Sequence, residues 1–430
     1  MPSPTGAYLG QRRHFLCCAA AAAAGLFSSA AAQAGPWATA CGGALPPSLQ
    51  DFLARGWQGL DPHALWDVHA HLLGNGDSGS GCFLHPSLTS GFNLVERARH
   101  RVILDAACVA PDAPSVDRAY VERLLTLSQA FPAGSRWLLF AFEQAHDDAG
   151  RPERAATTLY VPDAYAAQVA ARHAERFSWV ASIHPYHQAA LARLDQAARD
   201  GALAIKWLPG AMNIDLRDAR CRPFYDRLAQ LGLPLIVHCG EEKAVPGARR
   251  HELGNPLHVR AALDLGVRVI VAHCASLGEA IDSDRPSAPE VPAFELFARL
   301  MAQPAYEGLL WGDLSAVFQS NRRAEVWQAL LGRPDWHARL LHGSDYPLPG
   351  LKPLTRLGKL QGAGLLTEDD AQQLALLREH NPLLSDLMLK RSLRQAGQGL
   401  ELTAFATRRA FEPKTGSRRP GTSGDTGGRG

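Results

Sequence analysis

Trp66-Asp67-Val68-His69-Ala70-His71 is the stretch from which the rest of the chain is read. Side chains at i and i+2 of a strand share a face. The stretch therefore predicts a strand that carries His69 and His71 together to its end, with Asp67 just below them. The Gly-rich loop 74–81 comes next, with four Gly in eight residues, and reads as a mobile lid. Two imidazoles on one side of a strand end can grip a divalent ion if other strands supply further ligands. In a chain with 17 His, an isolated H-x-H is also compatible with hydrogen-bonded structural residues. The ends of the downstream strands decide between the two.

Working outward, a short amphipathic helix is expected over 48–56, before the strand. A helix over 92–101 leads into Arg101-Val102-Ile103-Leu104-Asp105-Ala106-Ala107-Cys108-Val109, an apolar run that reads as a second buried strand. After a helix at 115–130, the run 137–143 meets the turn signal Asp147-Asp148-Ala149-Gly150-Arg151-Pro152 and returns through 157–161. This reads as an inserted β-hairpin outside the main sheet. Apolar strands then recur at 179–185, 202–209, 235–240, 267–273, 309–315 and 339–347, each preceded by a helical pattern, and helices at 367–380 and 382–395 close the domain. Apolar strands alternating with helices imply a parallel sheet covered on both faces. With the hairpin set aside there are eight such strands, which fit an α/β fold of the (β/α)8 TIM-barrel type. An open doubly wound sheet would gather ligands at one switch point, whereas candidate ligands here end several strands.

Composition narrows the function. With 46% apolar and 20% charged residues and a net charge of +2, the chain is an ordinary globular protein with no electrostatic case for nucleic acid or a membrane surface. No C-x-x-C pair suggests a zinc knuckle, and neither G-x-S-x-G nor a Cys–His pattern suggests covalent catalysis. A small-molecule substrate is the expected partner, and a homo-oligomer stays open. Residues 1–34 read as a twin-arginine-type signal peptide. Arg12-Arg13 precedes an Ala-rich apolar run that closes on Ala32-Gln33-Ala34 and is too short for a stable membrane span. The expected location is periplasmic or secreted, where Cys41 and Cys82 could pair. Residues 35–61 form a leader with the short helix, 62–395 the barrel, and 412–430 a disordered Gly/Ser/Thr/Arg-rich tail.

Four strand ends carry metal-ligand side chains: His69 and His71, His238, His273, and Asp345. At a barrel mouth these can share one site although they span most of the sequence. Lys206 ends an apolar strand, where a solvated Lys would be out of place. Asp313 and Ser315 are expected to hydrogen-bond behind the ligands. Glu241 and Glu242, directly after His238, and His184, at the end of the third strand, are candidates for contact with substrate.

The H-x-H strand, the later strand-end His residues, Gly343-Ser344-Asp345-Tyr346-Pro347 and Asn381-Pro382 resemble the amidohydrolase superfamily, in its amidohydrolase-related (amidohydrolase 2) branch, over about residues 60–390. The resemblance implies that His69, His71 and His238 bind metal and that Asp345 is both ligand and general base. It implies that His273 is a further ligand or an acid/base. Zinc is the expected ion, as one or two equivalents. In binuclear members a strand-four Lys becomes a carbamate bridge, which would be Lys206. A substrate anchor and a structural role remain the other readings of that Lys. The function implied is a metal-dependent hydrolase that uses activated water on an amide, lactone or ester. A non-hydrolytic decarboxylase or hydratase, or an inactive small-molecule-binding relative, stands as the alternative.

Overall fold

Short runs of apolar residues form the strands of a closed parallel barrel. The computed structural model describes residues 37–89, 93–110, 112–243, 245 and 250–412. The signal segment and the tail beyond Glu412 lie outside the described residues. In chain order the barrel strands are β1 (Trp66–His71), β2 (Arg136–Phe140), β3 (Phe177–Val180), β4 (Ile205–Trp207), β5 (Leu235–His238), β6 (Val269–Ala272), β7 (Leu310–Asp313) and β8 (Leu340–Leu341). Parallel pairing runs β1-β2-β3 and β4-β5-β6-β7-β8. Single parallel bridges, Ala181↔Ile205 and Ala70↔Tyr346, join the two arcs and close the ring.

Alternation along the strands builds two shells. Val68, Leu138, Phe140, Val180, Ile236, Ile270 and Leu341 fill the interior. Their neighbours Trp137, Leu139, Trp179, Trp207, Val237, Val269 and Val271 face the surrounding helices. Residues 402–411 close the N-terminal end of the barrel. Phe411 stacks on Trp66 with ring centroids 6.2 Å apart, and Thr407 Oγ1 accepts from Trp66 N at 2.8 Å. The leader is held at its start, where Thr39 N donates to Gly350 O at 3.0 Å. Among the described residues, no helix is long and apolar enough to cross a membrane.

Four expectations need correction. Residues 101–109 are not a strand: α2 spans Leu94–Ala106, after α1 (Gln50–Trp57). Asn93 caps α2 by accepting from Glu96 N at 3.2 Å, and Arg101 pairs with Asp105 one turn on. An apolar run this short has no period that separates a buried strand from one buried face of a helix. The second barrel strand is instead 136–140, within the run that the turn signal marks as the outgoing arm of a hairpin. An antiparallel excursion does come after it, with bridges Phe142↔Val161 and His146↔Pro152, and its return strand Leu159–Tyr160 pairs with Phe83–Leu84.

Cys41 pairs with Cys108, not with Cys82, because the leader passes the end of α2 at a Cα–Cα distance of 5.4 Å. Cys82 is a buried free thiol. Finally, the loop 74–81 is tethered. The carboxylate of Asp117, on α3 (Val116–Ser128), accepts from Asn75 N (2.7 Å), Gly76 N (3.2 Å), Ser78 N (3.3 Å) and Oγ (2.7 Å), and Ser80 Oγ (2.6 Å).

Candidate metal centre

At the C-terminal mouth β1 does not run as a plain alternation. Its register with β2 shifts between Asp67 and Ala70. Val68 thereby joins the interior, and His69 and His71 reach the mouth beyond it with ring centroids 5.1 Å apart. Asp67 turns away from them and accepts from Ser344 N at 2.8 Å and His69 N at 3.1 Å, tying β1 to the end of β8. Burial raises its carboxyl to about 7, despite the opposing hydrogen bonds from Ser344. Gly343 is required at this seam, since a Cβ there would lie 2.9 Å from His69 Cβ. His273 and Asp345 both adopt the left-handed region, at φ 55° and 61°. Non-Gly residues are held there at a cost of about 1–3 kcal/mol each, typically at functional sites.

Asp313, at the end of β7, organises the histidines. Its Oδ2 lies 2.9 Å from His69 Nδ1, and its Oδ1 accepts from His273 N and Ser315 N, each at 3.0 Å, and from Ser315 Oγ. Burial alone would raise this carboxyl. The imidazoles of His69 and His273 and the hydrogen bond from His69 outweigh it and hold Asp313 well below the usual carboxylate range. A carboxylate only accepts, so the proton of His69 sits on Nδ1. The Nδ1 of His273 likewise donates, to Ser315 O at 2.9 Å.

Asp345 Oδ1 lies 3.1 Å from His71 Nε2 and 3.4 Å from His69 Nε2. The three side chains form a group compact enough to hold one ion, and His69, His273 and Asp313 form a second. His69 Nε2 is buried and has no hydrogen-bond partner among the described residues. Burial, and then the nearby Lys206 charge, lower His69 to about 4, so it is neutral at pH 7. A bare nitrogen lone pair thus faces the carboxylate oxygen that also accepts from His71 Nε2, an arrangement that a cation beside them would relieve. Burial raises the Asp345 carboxyl, but His273, the hydrogen bond from His71 and His69 outweigh this and hold it well below the ordinary range. The residues present fit a divalent ion.

The remaining sequence candidates fall in different places. His238 approaches the group from β5, its ring 5.3 Å from that of His273. Its Nε2 is buried without a partner among the described residues, its Nδ1 lies 3.4 Å from Glu242 Oε2, and burial lowers its pKa. Glu242 therefore faces the site, whereas Glu241 pairs with Lys243 at 3.0 Å toward the surface. Lys206, 1% exposed, lies over the Phe140 ring at 5.0 Å; its Nζ has no hydrogen-bond partner among the described residues, and burial lowers it to about 8. His184 does not join the cluster. Its Nε2 lies 2.9 Å from Met212 O, its Nδ1 accepts from Tyr186 N at 3.2 Å, and its ring stacks on His146 at 4.0 Å.

One residue at the mouth carries no signal in the sequence. Arg322 precedes the helix that leads to the eighth strand, since α8 begins at Ala324 (α4 to α7 being Asp163–Arg172, Ala190–Arg199, Arg222–Leu231 and Ala293–Met301, and α8 Ala324–Leu331). Arg322 turns inward and is 7% exposed. Burial lowers its guanidinium to about 10 against the opposing fields of Asp345, Glu242 and Glu241.

Fold and site together describe a TIM barrel with a candidate metal centre at the C-terminal mouth. The chain belongs to the amidohydrolase family, whose model, described as Amidohydrolase, matches residues 66–383. Among solved structures it is similar to an uncharacterised TIM-barrel protein from Bordetella bronchiseptica (18% identity, 72% of this chain and 94% of the other, TM-score 0.44). It is similar also to 5-carboxyvanillate decarboxylase from Sphingomonas paucimobilis (14%, 72% and 95%, TM-score 0.40). A third is 4-oxalomesaconate hydratase from Rhodopseudomonas palustris (14%, 72% and 92%, TM-score 0.38). Among curated proteins none matches the chain.

Proposed function

We propose that the chain is a metal-dependent enzyme acting on a small molecule, with hydrolysis of an amide, lactone or ester as the first reading. The observation that carries it is the buried lone pair of His69 Nε2 set 3.4 Å from Asp345 Oδ1 with no proton between them. His69, His71, His238 and Asp345 would hold the ion. Zinc suits three imidazole nitrogens and one carboxylate oxygen. Such an ion would supply Lewis acidity toward water and toward a substrate carbonyl. Asp345, ionised and buried, accepts the proton of the attacking water. His273, whose Nδ1 donates to Ser315 O, keeps Nε2 as an acceptor that would take this proton from Asp345 and pass it to the leaving group.

A single ion is favoured over two. The second group uses Asp313, which is already engaged by His69, His273 and Ser315, so an ion there would displace those hydrogen bonds. With one ion Lys206 is no carbamate bridge but a cation at the mouth. That observation supports the second reading, decarboxylation or hydration of a carboxylated substrate. If nothing turns over, a small-molecule-binding relative is what remains. Export through the twin-arginine route is part of the proposal, and the Cys41–Cys108 disulfide supports an oxidising location.

Product analysis on amides, lactones, esters and aromatic carboxylates separates the reactions. In the assay that responds, Asp345→Asn should lower the rate by about 10²–10⁴-fold with an unchanged circular-dichroism spectrum. Full activity in that variant would remove Asp345 from the chemistry.

A further inference from the structure

Arg322 is a buried cation held only by neutral groups. Its Nε donates to Ser276 Oγ at 3.2 Å, and its Nη1 donates to Gln319 Oε1 at 3.1 Å and Asn321 Oδ1 at 2.6 Å. Among the described residues it forms no ion pair with a carboxylate, and Nη2 has no hydrogen-bond partner. A buried guanidinium is normally paired with a carboxylate or phosphate, because removing it from water is costly and its fork suits an anion. Another buried arginine here, Arg268, is satisfied by strong acceptors, donating to three carbonyls, Ala410 O, Glu412 O and Gly232 O.

The position of Arg322 bears on function. Ser276 lies three residues beyond His273, and Gln319 and Asn321 belong to the loop after β7, so three side chains from two mouth loops hold the guanidinium. The carboxylates that act on it through space are those of the mouth: Asp345, Glu242 and Glu241. Asp345, Oδ1 engaged with His71, is the group read as ligand and base. Lys206, on β4, is a second buried cation without a hydrogen-bond partner among the described residues.

We propose that Arg322 is the specificity-determining anchor for a carboxylate group of the substrate or product, bound through the free Nη2 edge beside the catalytic group. The assignment rests on the reading of His69, His71 and Asp345 as the catalytic centre. It makes carboxylate-bearing small molecules the ligand class, whichever bond is broken. The free Nη2 matches a carboxylate oxygen, and inorganic phosphate is the competing anion that the test includes.

The test is calorimetric titration of the purified full-length protein, metal-replete by elemental analysis, with benzoate, succinate and hexanoate, each beside its neutral amide, and with inorganic phosphate. At least one carboxylate should bind while its amide and phosphate do not. Arg322→Gln should weaken that binding at least tenfold with metal content unchanged, and Arg322→Lys should recover part of it. Equal affinity in Arg322→Gln, no carboxylate binding to the metal-replete protein, or binding of phosphate in preference would each overturn the assignment. If Arg322→Gln does not fold, Arg322→Lys carries the test, and carboxylate affinity equal to that of the parent in that variant would overturn the assignment. Absence of metal would count against the metal reading alone, since the anion titration is read separately.

Discussion

Asp313 gives one oxygen to His69 Nδ1 and the other to the backbone N–H groups of His273 and Ser315. By accepting from Nδ1 it leaves Nε2 of His69 as the lone pair directed at the mouth. A carboxylate behind a ligating imidazole fixes its tautomer and raises its basicity, and its loss typically costs 10–100-fold in metal affinity. Asp313→Asn should therefore weaken metal binding by about that factor, read by competition with a chromogenic chelator, while the far-ultraviolet spectrum is unchanged. Unaltered affinity would mean that Asp313 does not set the tautomer. At this scale much of the candidate site is legible in the sequence: His69, His71, His238, His273 and Asp345 lie at or just beyond strand ends, which a closed barrel brings to one mouth, whereas the register shift in β1 and the left-handed backbone of His273 and Asp345 that aim them are not legible. Arg322 is not legible. Arg322-Arg323 before Ala324 reads as a solvated helix start, and only the loop path turns one of the two inward.

The elements are legible where period and length agree. Strands 4 to 8 fall within the runs read for them, and strand 3 overlaps its run at Trp179 and Val180, since short apolar runs between helical patterns have few other solutions in a parallel barrel. The second strand escapes the pattern because Val102-Ile103-Leu104 presents the same apolar run to a helix as to a strand, and the cap at Asn93 decides in favour of the helix. The insertion after β2 also sets a testable charge at an element end. Asp163, first residue of α4, accepts from Ser182 N at 2.8 Å and lies 3.3 Å from Arg193 Nη2. Burial raises its carboxyl to about 6, against the pull of the Ser182 hydrogen bond and of Arg193. The neutral form is the one the fold prefers. Its contribution to stability is thus complete below the unfolded value of 3.8 and is lost as pH rises through about 6. Asp163→Asn, which keeps an acceptor for Ser182 N, should match the parent near pH 4 and exceed it by on the order of 1 kcal/mol at pH 7. Denaturant titrations across that interval would measure it, and a variant less stable at pH 7 would reverse the sign assigned to Asp163.

For the whole molecule, closure of the ring is what converts a dispersed set of residues into one site. β1 and β8 are separated by most of the chain, yet Asp345 N donates to His69 O at 2.8 Å and His71 N to Tyr346 O at 3.0 Å. The N-terminal end is sealed by Phe411 and the C-terminal end is left open to the loops, the polarity expected of barrel enzymes. Substrate choice lives in those loops, which is why the sequence points to a superfamily and a ligand set but to no substrate. The central claim, that His69, His71, His238 and Asp345 form a metal centre, is tested most directly by elemental analysis of the full-length protein purified without chelators. The account predicts about one equivalent of a divalent metal per chain, lost in a His69→Ala/His71→Ala double variant that still folds. A protein that carries no metal, and takes up none on reconstitution, would contradict it.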